Sequence, residues 1–282
     1  MVAVNTGKVR IEERNRMWKW EAEGQAKAVV VFIHSAYEHH RRYPWLIEKL
    51  RVSGMHVITG DLPGHGEVSR KKKAHDEGFK EYLKFIRQMM EVAINYNLPI
   101  FIMGHGLGAS LAMELIQIRK YECAGMILTS PWLHLTHQPS KFSNALSGIS
   151  KLTGNLKIQH DIPIKNLSRS YEFYKEQKDD PYYFSGITVG WYKELQQFMK
   201  ALWTKRETIP DIPVLLMNGG SDKIVSPAYS KKWLSQQETS EFQYKEWKSC
   251  YHDLYQEPER EDIYQYMESF MFNALRNIGY II

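Results

Sequence analysis

The residues whose types and spacing bear on chemistry lie in three places. The first is Gly104-His105-Gly106-Leu107-Gly108, entered from the apolar run Ile100 to Met103 and followed by an apolar helical pattern through Leu111, Ala112, Leu115 and Ile116. Strand, glycine-flanked turn and helix form the setting in which a G-x-S-x-G sequence presents a nucleophilic serine. The middle position here is Gly106, so the turn offers no side-chain oxygen. Such a turn drives its middle residue towards positive φ, a strain that glycine escapes. The second place is Asp222, in Gly219-Gly220-Ser221-Asp222, and the third is His252, in Cys250-Tyr251-His252-Asp253. An aspartate beside a histidine fixes the tautomer and stabilises the imidazolium, which suits the histidine to act as a general base. Read singly, Asp222 is a turn former or helix cap and His252 a loop histidine. Their joint placement, each just past a strand-like run, favours the pair.

A developing negative charge on a carbonyl oxygen needs donors. The loop His34 to Glu38, after the first buried strand, and the residue after the elbow are where backbone N–H groups converge in this kind of layout. Ala36 and Leu107 are the expected oxyanion donors, and backbone donors do not depend on side-chain identity. His34 itself reads as a buried histidine bonded to backbone, and Asp61 to Gly66 as a turn. A glycine-rich strand–helix turn without catalytic meaning is the alternative at 104–108. No Walker-type Lys and Ser/Thr pair follows it, which argues against a phosphate cradle. The histidines show no H-E-x-x-H and no Cys/His ligand spacing, so neither metal nor cofactor is expected.

These groups need a scaffold. Ala28 to His34 is apolar, β-branched and short, as a strand buried on both faces should be. Tyr43 to Ser53 has helical spacing and ends at Gly54. His56 to Asp61 is the next strand, Phe79 to Asn97 a long amphipathic helix, and Ile100 to Met103 the strand feeding the elbow. Gly125 to Thr129 is a further strand, closed by Ser130-Pro131. From Leu133 to Arg206 the chain is polar, aromatic and helical, without a strand-like apolar run. Strand signals return at Ile212 to Asn218 and Phe242 to Trp247, and Asp262 to Asn277 is a terminal helix. Alternating strands and helices predict an α/β fold with a mostly parallel sheet. The division expected is a core of residues 1–132 and 207–282 with a helical insertion at 133–206, placed over the carboxyl edge where open α/β sheets bind ligands.

The chain has 282 residues and a net charge of +5, much of it from Arg70 to Lys73 and Lys231-Lys232. Without a concentrated basic stripe or a recognised module, nucleic acid is not an expected partner. The lysines read as solvated, with weak attraction to anionic lipid headgroups as the alternative. Two cysteines exclude a disulfide scaffold. No apolar run reaches the length of a membrane span, and Met1 to Arg10 lacks a basic region followed by an apolar core. A cytoplasmic protein is therefore expected.

Elbow, acid, histidine is also the chain order of α/β-hydrolases. The chain resembles the monoglyceride lipase and lysophospholipase group of that fold, the serine aminopeptidase S33-like proteins. The resemblance rests on His34-Ser35-Ala36-Tyr37-Glu38-His39 with Arg42-Tyr43 against H-G-x-x-E-H with R-Y. It rests also on Asp61 to Gly66 against D-x-x-G-H-G, on Gly104 to Gly108 against G-H-S-x-G, and on Ser130-Pro131, Gly220-Ser221-Asp222 and Tyr251-His252. Two positions depart: Gly106 stands where the group has its serine, and Ser35 where it has glycine. The resemblance implies an α/β-hydrolase fold, a carboxylic-ester hydrolase acting on single-acyl lipids, and a cap over 133–206 forming an acyl-chain tunnel. Phe142, Tyr174, Phe184, Trp191 and Phe198 suit that cap, either lining it or packing it.

With Gly106 at the nucleophile position, three readings stand. The chain is a lipid esterase disabled at one residue, a non-catalytic binder of a small apolar ligand, or an enzyme in which His252, oriented by Asp222, acts on a bound water or on an acidic substrate proton without a covalent intermediate. Among substitutes, Ser110 should point away from the elbow, Cys250 would need a sharply folded loop, and Ser35 lies near the oxyanion loop at a separation from His252 that sequence does not give. On the first reading, Gly106→Ser restores esterase activity.

Overall fold

The run Ala28-Val-Val-Val-Phe-Ile33 forms strand β3, and every residue in it is buried. Its side chains divide by the two-residue period of a strand. Val29, Val31 and Ile33 enter one hydrophobic cluster and Ala28, Val30 and Phe32 the other. A strand covered on both faces must be apolar throughout, which is why it reads as a continuous run.

This architecture comes from a computed structural model that describes residues 8–12, 17–68, 74–137, 139, 154–204 and 208–280. The basic cluster Arg70 to Lys73 and Phe142 lie outside the described residues. The strands are β1 (Lys8–Glu12), β2 (Met17–Trp20), β3 (Ala28–Ile33), β4 (Met55–Gly60), β5 (Ile100–His105), β6 (Gly125–Thr129), β7 (Lys157–Gln159), β8 (Gly186–Thr188), β9 (Val214–Gly219) and β10 (Phe242–Trp247). The principal sheet runs β1-β2-β4-β3-β5-β6-β9-β10. From β4 to β10 all neighbours are parallel, while β1 and β2 join antiparallel at the edge. That edge hairpin was not anticipated: Met17-Trp18-Lys19-Trp20 is too short and too mixed to stand out.

Helices α1 (Pro44–Val52) and α7 (Arg260–Asn277) bury Leu46, Ile47, Leu50, Ile263, Met267, Phe270 and Met271 on one face of the sheet. Helices α2 (Phe79–Ile94) and α3 (Leu107–Arg119) bury theirs on the other. Helix α2 stops short of the expected Asn97, which turns away at φ 52°. Between β6 and β9 lie α4 (Tyr171–Gln177), α5 (Val189–Thr204) and the two-stranded antiparallel sheet of β7 and β8. The stretch read as helical and without a strand-like apolar run thus also holds two short strands. Lys157-Ile158-Gln159 is exposed at both ends, so it lacks the apolar signature of the sheet strands. Helix α6 (Pro227–Leu234) follows β9, and its Lys231 pairs with Glu246 at 2.7 Å. Among the described residues, no helix is long and apolar enough to cross a membrane.

Helix α3 packs tightly on β3 because Gly108 has no side chain. A Cβ there would fall 2.5 Å from the His34 carbonyl oxygen and no farther from that of Ile33. Backbone cannot yield as a side chain can, so the helix would have to lift from the strand. Gly108→Ala is expected to destabilise the protein by about 1–3 kcal/mol, the usual scale of overpacking. Urea unfolding with an unchanged slope and a lowered midpoint would show it; an unchanged midpoint would refute the close packing.

Candidate active site

The elbow has the backbone its position requires. Gly106 follows β5 directly, caps α3, and adopts φ 54°, ψ −119°. Its N–H donates to the Thr129 carbonyl and its carbonyl accepts from Trp132 N–H, at 2.9 and 3.2 Å. Leu107 is the first residue of α3, so its N–H is one of the donors a helix leaves unpaired at that end.

That N–H has a partner, and it is Ser35. The Leu107 amide donates to Ser35 Oγ at 3.1 Å. A Cβ on Gly106 would lie 2.7 Å from Ser35 Cβ, closer still to Ser35 Oγ, and 3.2 Å from Trp132 Nε1. The Ser35 side chain therefore occupies the space in which a residue-106 side chain would begin. Ser35 is held at both backbone ends: its N–H donates to Glu38 Oε1 at 2.6 Å, and its carbonyl lies 2.6 Å from His34 Nδ1. His34 Nε2 accepts from Leu62 N–H at 2.9 Å, which puts the His34 proton on Nδ1. His34 is thus a buried histidine bonded to backbone. Ala36 follows in the same loop, also buried.

Asp222 lies just beyond β9 and His252 just beyond β10, the next strand over. His252 Nδ1 is 2.8 Å from Asp222 Oδ2, with both side chains almost wholly buried. Asp222 Oδ1 accepts from the amides of Ile224 and Val225, at 2.7 and 3.0 Å, so the carboxylate is held from the other side. The Trp132 indole donates to His252 Nε2 at 3.2 Å. An indole only donates, so Nε2 is an acceptor and the neutral ring carries its proton on Nδ1 towards Asp222. The same indole nitrogen borders the empty Cβ position of Gly106, which places His252 beside the elbow. Burial opposes charging of His252, but Asp222 outweighs it and, with Glu38, raises the pKa above that of ordinary histidine. His105, whose ring centroid is 4.9 Å from that of His252, is pushed down to about 3 by burial and by His252.

Further residues hold this arrangement, and among them Arg169, Glu257 and Glu259 gave no signal in the sequence. Ser130, at φ 45°, donates its hydroxyl to the His252 carbonyl at 2.7 Å. Asp253 N–H donates to the Leu167 carbonyl, and Arg169 bonds both Glu257 and Glu259. Asp61 accepts from the His40 backbone and ring, which gives the turn at 61–66 a larger part than a chain reversal. Of the candidate aromatics, Trp191 donates to Tyr82 on α2, and Phe198 packs on Phe79, with ring centroids 4.8 Å apart. Tyr174 is exposed and Phe184 half-buried. Trp191, Trp132 and His160 surround the Tyr37 ring, and Tyr37 Oη meets His160 Nδ1 at 2.5 Å. Ser110 Oγ donates to the Trp132 carbonyl, and the Cys250 thiol is pushed up to about 12 by burial and its acidic neighbours.

A mostly parallel sheet flanked by helices, with an acid and a histidine at the carboxyl ends of adjacent strands beside a strand–turn–helix elbow, is the α/β-hydrolase fold of lipases and esterases. The chain belongs to the serine aminopeptidase S33 family, whose profile matches residues 24–259. It is 34% identical over 256 residues to phospholipase YtpA of Bacillus subtilis, covering 90% of this chain and 98% of that one. It is 24% identical over 264 residues to the monoacylglycerol lipase of Mycolicibacterium smegmatis, covering 91% and 92%. Among solved structures it is similar to a soluble variant of the Saccharomyces cerevisiae monoglyceride lipase in complex with a substrate analog. That match has a TM-score of 0.79 and 19% identity, over 92% of this chain and 91% of that one. The Paleococcus ferrophilus monoacylglycerol lipase gives 0.74 and 23%, over 92% and 99%.

Behind the elbow lies a buried charge network. Glu38 accepts from Tyr43 Oη at 2.6 Å and pairs with Arg42 at 3.4 Å, and Tyr43 Oη also reaches Asp253 at 3.5 Å. Burial alone would raise Glu38, yet Arg42 and the neighbouring histidines hold it below the usual carboxylate value. For Asp253, burial together with the Glu38 charge outweighs the opposing pull of Arg42 and His252 and pushes it up to about 8. The folded protein therefore keeps a proton on Asp253 that the unfolded chain loses near pH 4. Stability from this group is complete below pH 4 and is lost as pH rises to about 8. Asp253→Asn should gain on the parent protein across that window and no further, measured by urea midpoints at stepped pH. A constant difference would show that Asp253 is ionised in the fold.

Proposed function

We propose that this chain carries the acyl-transfer machinery of a carboxylic-ester hydrolase for single-acyl lipids, of monoacylglycerol or lysophospholipid type, and that Gly106 disables the elbow as its nucleophile. The observation that carries the reading is the Trp132 indole nitrogen, which touches both His252 Nε2 and the space where a residue-106 side chain would start. In such machinery His252 would be the general base and Asp222 its orienting partner. Ala36 and Leu107 would donate to the oxyanion. The related phospholipase and monoacylglycerol lipases support the substrate class. The stretch 133–206 would be the cap over the site, with the core in 1–132 and 207–282.

Gly106→Ser alone meets an obstacle that sequence did not reveal, since the new Cβ would collide with the Ser35 side chain. The exchange Ser35→Gly with Gly106→Ser removes the collision. It is expected to hydrolyse p-nitrophenyl butyrate and a monoacylglycerol at least tenfold faster than Gly106→Ser alone. Adding His252→Ala should cost about 100-fold or more, the scale of a lost general base. A folded exchange variant without this activity overturns the hydrolase reading.

The pH profile tests the histidine. General-base action needs neutral His252, whose raised pKa places the acid limb of the exchange variant above the ordinary histidine value of about 6.5. Asp222→Asn removes the carboxylate that raises it and should move that limb to lower pH. A limb that stays put would assign it to another group.

A further inference from the structure

We propose that Ser35 is the nucleophile this chain uses in place of one at the elbow, with His252 as its general base; this rests on the acyl-transfer reading above. The exchange between the two positions is reciprocal. Against the motifs it resembles, the chain has serine where glycine is the pattern, at 35, and glycine where serine is the pattern, at 106. The structure brings the two positions together. Ser35 Oγ enters the volume a residue-106 side chain would fill, so the hydroxyl reaches the elbow from the opposite loop.

Its surroundings suit a nucleophile. The Leu107 N–H, first in helix α3, donates to Ser35 Oγ, and a helix N-terminus favours negative charge on that oxygen. The backbone of Ser35 is fixed at both ends by Glu38 and His34, which sets the point from which its side chain starts. His252 presents an acceptor nitrogen to the Trp132 indole, whose nitrogen also borders the empty Cβ position of Gly106 that Ser35 Oγ enters. That indole must leave Nε2 as substrate enters. The other candidates are committed elsewhere: Ser110 donates to the Trp132 carbonyl, and the Cys250 thiol does not ionise near neutral pH.

The chemistry balances without a co-reactant. Ser35 Oγ bonds to the ester carbonyl carbon while its proton passes to His252 Nε2. The ester C–O bond then breaks, and the alcohol leaves with that proton. A water deprotonated by His252 attacks the acyl–Ser35 ester, the C–Oγ bond breaks, and Ser35 regains its proton as the fatty acid departs.

The test is covalent labelling of the full chain with a fluorophosphonate. Attack forms an Oγ–P bond, breaks P–F and releases fluoride. Tryptic cleavage after Lys27 and Arg41 gives a peptide, 28–41, in which Ser35 is the single serine; position 106 falls in peptide 88–119. The parent protein should label on 28–41, with fragment ions placing the adduct on Ser35. His252→Ala should slow labelling about 100-fold or more, as expected for loss of a general base, and Ser35→Ala should abolish it. The exchange Ser35→Gly with Gly106→Ser should move the adduct to 88–119. An unlabelled parent beside a labelled exchange variant overturns the Ser35 proposal and leaves the hydrolase reading standing. Labelling in neither overturns both. Labelling of Ser35 that is indifferent to His252→Ala overturns the assigned base.

Discussion

One small volume beside the elbow admits one side chain, and the site is arranged around that exclusion. Position 106 and position 35 approach it from opposite sides, one at the head of α3 and one on the loop after β3. Close packing leaves no room for both, because a Cβ at 106 would overlap the Ser35 side chain. Glycine at 106 and serine at 35 are therefore one structural fact rather than two. The glycine relieves the positive φ of the turn, and the serine fills the gap and satisfies the Leu107 amide. Either substitution alone would leave an overlap or a void with an unpaired donor, and buried donors without partners are costly.

What places Ser35 is the carboxylate of Glu38. It accepts from the Ser35 amide and from Tyr43, and it is paired with Arg42, whose guanidinium stacks over Phe173 and Tyr183. An uncompensated buried carboxylate would lose its charge; this one keeps it because the cation is equally buried. The neighbouring Asp253 also feels that cation, but burial and the Glu38 charge outweigh it and Asp253 holds a proton. The network thus ties the loop after β3 to the His252 loop and, through the two aromatics, to the stretch between β6 and β9.

The sheet, the elbow and the order of acid and histidine were legible because each leaves a local mark. Buried parallel strands read as apolar runs, a positive-φ turn reads as glycine, and reactive groups follow strand ends. The edge hairpin and the strands β7 and β8 were not legible, since strands of three to five residues are too short to carry an apolar period. The collision between Ser35 and Gly106 was also hidden. Both departures were visible in the sequence, but their contact spans 71 positions of chain and depends on how α3 sits against β3. Trp132 gave no sign, because an indole that meets a histidine through tertiary packing has no spacing to betray it. Glu38 and Arg42 stood within a recognisable motif, yet only burial and distance reveal that they hold the loop after β3.

The hydrogen bond from Trp132 to His252 bears on why the site has kept its shape. A histidine oriented by an aspartate presents a lone pair that, buried, needs a donor. With no hydroxyl at 106, the indole supplies that donor and fixes the base-competent tautomer in the resting protein. Asp222 is anchored by two amides, His252 by Ser130, and Leu107 by Ser35. Asp222, His252 and the Leu107 amide thus each have a partner while the site is closed. On the Ser35 proposal, an ester carbonyl would take the Leu107 amide from Ser35 and free its hydroxyl as the electrophile arrives. Satisfaction in the resting state and reactivity in the occupied state would then be served by one set of hydrogen bonds.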